Sequence, residues 1–160
     1  MSKFTVIHEF FETNLPILFP SKTKIPNAYS LEDNNVQFLR DSYGIRHNGS
    51  SSNAAAIGEA NKTYSVVIPL TREILRTDSN DQAIDDQVKI LEDDASTLQE
   101  YIQNIYVSRS DVNCVNWPEE ILYIEQGSTS AVSFLIGEKL NHILIEVDFN
   151  LVTTIDFYTP

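Results

Sequence analysis

Apolar positions recur along the chain in several distinct rhythms. Phe4, Ile7, Phe11 and Leu15 are spaced by three, four and four residues, the period of a helix with one apolar face. This predicts a helix over about Ser2–Asn14, ended by Pro16, which lacks the N–H and disfavours helix in the residue before it. Ile17 to Asp33 reads as an extended connector broken by Pro20 and Pro26. Val36–Arg46 alternates imperfectly and reads as a strand with a bulge at Gly44. Tyr64, Val66, Ile68 and Leu70 alternate cleanly, and Val67 between them points to partial cover on both faces of that strand.

Asn48 to Asn61 lies between these two strands and consists of small, polar types with little to bury. Irregular segments this long inside a compact domain are uncommon and usually functional or disordered. A flexible hairpin loop is therefore expected at about 48–61. Its candidate partner-binding positions are Asn48, Gly49, Ser50, Ser51, Ser52, Asn53, Gly58, Glu59 and Asn61.

The strongest periodic signal follows. Ile84, Val88, Leu91, Ala95, Leu98, Ile102 and Ile105 alternate steps of four and three. That is a seam of about three heptads, expected to pack on the chain's own sheet, with a helix–helix contact between subunits as the alternative. Asp78-Ser79-Asn80-Asp81 can cap its start. The same cluster lacks the glycine and terminal glutamate of a calcium loop. Val107–Glu120 is irregular, with Trp117-Pro118 as a packing corner. Ile121–Gln126, then Val132, Phe134 and Ile136, then Ile143 to Leu151 read as three strands. Gly127-Ser128 and Gly137–Asn141 would be the turns of this antiparallel meander. The expectation is one α+β domain over residues 1–160. It has a mainly antiparallel sheet, made of the long-looped hairpin and the meander, packed on one face by an N-terminal and a long central helix.

The formal charge of −12 and a sequence pI near 4.5 set the surface against nucleic-acid phosphates, so no specific nucleic-acid binding is expected. Neutral or basic protein surfaces remain as partners, as does a lumen through which DNA passes without adhering. A single cysteine, Cys114, allows no intramolecular disulfide and has no basic neighbour to activate it. Charged residues interrupt the N-terminal apolar stretch, and no run of 18 apolar residues occurs, so neither secretion nor a membrane span is expected.

Chemistry-bearing patterns are sparse. The five glycines match no phosphate-binding fingerprint. His8, His47 and His142 fall in three separate elements without ligand spacing. No catalytic, metal or cofactor residue is assigned, and the chain reads as non-enzymatic, acting by binding other macromolecules.

The order of elements from Phe4 to Phe157 resembles the tail terminator proteins of long-tailed bacteriophages: a helix, a hairpin with a long loop, one long helix and closing strands. The resemblance implies a homohexameric ring that caps the tail tube and joins it to the neck. Its partners would be copies of itself, the tail tube protein and connector proteins. It would act in the virion after synthesis in the host cytoplasm. Arg40, Arg46, Lys62, Arg72 and Arg76 lie on or near the hairpin, and are candidates to meet Glu146 or Asp148 of a neighbouring subunit. Other head–tail connector or tail-completion proteins share this order. A different class also fits the composition: an acidic monomeric inhibitor that covers a basic protein surface with Asp78, Asp81, Asp85, Asp86, Glu92, Asp93 and Asp94.

Overall fold

The computed structural model describes residues 2–56, 59–74, 81–114, 116–135 and 141–156. Its elements in chain order are α1 (Lys3–Leu18), β1 (Thr23–Lys24), 3-10 turns at Leu31–Asp33 and Val36–Leu39, β2 (Asp41–Tyr43), β3 (Arg46–Ala56), β4 (Glu59–Glu73), α2 (Asp81–Val107), β5 (Ile121–Thr129), β6 (Ser133–Phe134) and β7 (His142–Asp156). The fold is α+β, with a mostly antiparallel seven-stranded sheet; the one parallel pairing among the described residues joins β1 to β2.

Two strands of 15 residues, β4 and β7, pair along their whole length, from Glu59 opposite Asp156 to Glu73 opposite His142. Each is flanked by a broken strand. On the far side of β4, β2 and then β3 lie end to end. On the far side of β7, β5 and then β6 lie end to end. This corrects the expected meander, because β5 and β6 pair with β7 and not with each other. Gly127 makes no turn: β5 continues through it, and the register shifts between Gln126 and Thr129. A Cβ at Gly127 would sit 2.7 Å from the Asp148 Cβ, so only glycine lets the two backbones approach this closely.

One sheet face carries the main core. Val66, Ile68 and Leu70 of β4, and Ile143, Ile145, Val147, Phe149 and Leu151 of β7, alternate onto it. Ile7, Phe11 and Leu15 of α1, and Leu91, Ala95, Leu98, Ile102 and Ile105 of α2, close over them. The periodic seam of α2 thus packs within its own chain, with Ile84 and Val88 half-buried at its start. Part of the opposite face is covered by the connector, through a smaller cluster of Ile25, Leu31, Leu39 and Leu144.

Three further expectations are corrected. Helix α1 does not stop at Pro16 but runs on to Leu18, and the Phe19 N–H closes the last turn on the Leu15 carbonyl at 2.8 Å. Burial of Leu15 and Phe19 on either side of the proline outweighs its missing hydrogen bond. The strand expected over Val36–Arg46 is a 3-10 turn, the three residues of β2, and a break. Gly44 sits in that break: a Cβ there would meet the Ala28 Cβ at 2.8 Å and the Pro69 Cγ at 3.0 Å. The segment expected as an irregular loop over 48–61 is instead strand on both sides: β3 reaches Ala56 and β4 begins at Glu59. The start of the expected cap cluster, Asp78 to Asn80, lies outside the described residues. Trp117 does make a corner, donating to the Ile121 carbonyl at 2.9 Å and packing edge-on against Phe10 and Tyr106.

Candidate functional site

The features not consumed by the core are the hairpin and the uncovered sheet face beside it. Pairing runs Arg46 opposite Val67, His47 opposite Val66, and then, after one extra residue, Ser50 opposite Tyr64. Gly49 lies in that irregularity with φ of 91°, a conformation that favours glycine. Ser51 pairs with Thr63, Ser52 with Lys62 and Asn53 with Asn61. Asn48, Gly49, Ser50, Ser51 and Ser52 are all exposed. The predicted binding positions thus lie along one extended edge strand. Gly58 falls outside the described residues, and Glu59 opens β4 opposite both Ala56 and Asp156. Tyr64 of β4 and Leu151 of β7 pack with the main core, and β5 starts opposite Thr153. Residues 53–56, 59–61 and 154–156 therefore form a three-stranded arm beyond the start of β5.

Beside the first residues of β3, the open face holds a shallow polar hollow lined by Arg46, Asn48, Val67, Ser128, Ser130, Glu146 and Asp148. Arg46 and Glu146 form an ion pair across its floor, each about one-quarter exposed. Ser128 Oγ donates to Asp148 at 3.3 Å. These side chains suit polar or charged contacts with a partner surface.

The structure redirects most of the charges expected to cross between subunits. Arg46 is paired with Glu146 of its own chain. Arg40 reaches Glu73 at 3.3 Å. Arg72 holds Asp41 at 3.2 Å and donates to Gln87 at 2.8 Å. Neighbouring strands in one sheet bring these partners together sooner than a second copy could. Lys62 is the exception. Its ammonium lies 5.1 Å from the Tyr64 ring centroid and has no carboxylate partner among the described residues. Arg76 lies outside the described residues.

Sequence spacing also missed a histidine pair. His8 on α1 and His47 on β3 share a hydrogen bond of 2.8 Å between Nδ1 and Nε2, while His8 Nε2 lies 3.1 Å from Glu12. Phe4 covers both rings. Burial and the neighbouring His8 both push the His47 pKa down, burial more. A hydrogen bond to Lys24 chiefly holds Glu12 below the usual carboxylate range, against the opposing effect of burial. The group ties the hairpin root to α1. It was illegible because the two histidines stand 39 residues apart.

The sequence matches no protein-family model, and no curated protein matches it. No described helix is long and apolar enough to cross a membrane.

Proposed function

We propose that this chain is a structural, self-assembling virion protein of the tail-terminator kind, forming a ring that caps a tail tube and joins it to the neck. The observation that carries the reading is the three-stranded arm. Its outer strand β3 is uncharged from Asn48 to Ala56, and the polar hollow lies beside the first residues of that strand. An uncharged strand edge of this kind suits contact with another molecule. The acidic remainder of the surface suits a lumen that carries DNA without holding it.

Negative-stain images of the purified protein test this. Closed rings of about six copies, the number the family resemblance implies, are the expected outcome. Isolated single-chain particles at every concentration would contradict it. A connector or tail-completion role would keep the ring and change only its position in the virion.

A second reading rests on a separate observation. Asp85, Asp86, Glu92 and Asp93 are exposed on the outward side of α2. That face suits an inhibitor covering a basic surface. It predicts a monomer whose binding to a basic partner weakens steeply with salt.

A further inference from the structure

On one side the described sheet ends in β3 and, past β2, in β1; on the other it ends in β5 and β6, and the edges of β3 and β5 differ in chemistry. Among the described residues β3 pairs only with β4, and from Asn48 to Ala56 it contains no proline and no charged residue. Natural edge strands normally carry such residues to block strand addition. On the opposite side, β5 pairs only with β7, and no backbone group from Leu122 to Ser128 has another backbone partner among the described residues. Leu122 and Tyr123 are exposed there.

We propose that β3 of one copy adds antiparallel to β5 of a second copy of this chain. The inference rests on the ring reading and names its interface. Strand direction supports it. Along β3, β4, β7 and β5 each neighbour runs opposite to the last, so β3 and β5 point in opposite directions. A copy related by rotation about an axis along the strands therefore presents β3 antiparallel to its neighbour's β5. The two surfaces differ, so the contact is heterologous and repeats until the ring closes.

Charge supports the same register. Ser52 pairs with Lys62, Lys62 with Thr153, and Thr153 with Ile121. Ser52 and Lys62 thus stand at the height of Ile121, where β5 begins. Glu119 and Glu120 immediately precede Ile121, and Glu125 follows on β5. All three are exposed, and none has an ion-pair partner among the described residues. Rotation brings the unpaired Lys62 of one copy to the unpaired glutamates of the next.

The test compares sedimentation of the full-length protein with Ser51→Glu, Lys62→Glu, and Lys62→Glu combined with Glu120→Lys, each checked by circular dichroism. Amide exchange of the unmodified protein is measured in parallel. The expected result is that Ser51→Glu and Lys62→Glu raise the concentration at half-assembly at least several-fold, and that the charge swap restores it. The β3 amides of 48–52 should exchange slowly in the assembly and fast on dilution to monomer. Unchanged assembly of both single variants, or fast β3 exchange within the rings, would overturn the edge contact and leave the ring reading standing. An unmodified protein that stays monomeric at every concentration would overturn both.

Discussion

His142 is buried at the start of β7, where its Nδ1 accepts the Asn141 N–H at 3.1 Å and its Nε2 has no partner among the described residues. Burial pushes its pKa down, Glu73 opposes this and Arg40 adds to it. His47 is shifted the same way. Burial disfavours the protonated form of each in the fold, while the unfolded chain takes up protons near pH 6.5. Their contribution to stability is therefore complete above that value and is lost as pH falls through and below it. The melting temperature should be several degrees lower at pH 5.5 than at pH 7.5, and His142→Gln should flatten that dependence; equal melting at the two pH values would refute it. Gly127→Ala should cost about 1–3 kcal/mol in denaturant unfolding, because its Cβ would press on Asp148, including the carbonyl at 3.1 Å. At this scale the sequence was only partly legible. It offered Gly127 as a turn signal, whereas the need for glycine comes from a neighbouring strand that spacing along the chain does not reveal.

The helices and long strands show which patterns survive tertiary structure. The seam of α2 was readable residue by residue because one amphipathic helix on one sheet obeys a single period. Leu98→Ala, a full truncation in that seam, should cost about 2–5 kcal/mol. In α1, tertiary burial of Leu15 and Phe19 overrode the stop signal of Pro16. Pro16 is exposed, so Pro16→Ala should restore the hydrogen bond to Glu12 and stabilise the protein by up to about 3 kcal/mol, measured by chemical denaturation. β3 was unreadable as a strand because Ser50 to Ala56 has no apolar alternation; it is drawn into the ladder by β4. From Asn53 on it runs beyond the start of β5, so deletion of Ser50–Glu59 should leave the melting temperature within a few degrees and abolish assembly. A large loss of stability would show that the arm supports the fold itself.

For the molecule as a whole, the α+β class and the placement of both helices on one face were legible, because each face carries its own hydrophobic signature. The sheet order was not. The hairpin and the closing strands looked like separate units, and only the full-length pairing of β4 with β7 joins them. The candidate site was legible in location and not in form. Asn48 to Asn61 stood out as having nothing to bury, yet its extended conformation and the in-chain pairing of Arg40, Arg46 and Arg72 depend on strands distant in sequence. What remains exposed is an acidic domain with one uncharged edge, one edge flanked by glutamates and an arm, the features by which the proposed ring would join copies head to tail. The most direct test is the mass of the purified protein by sedimentation across a wide concentration range. The account predicts a shift from monomer to one closed species of about six copies, with nothing larger. A monomer throughout, or open-ended growth without a limiting mass, would contradict it.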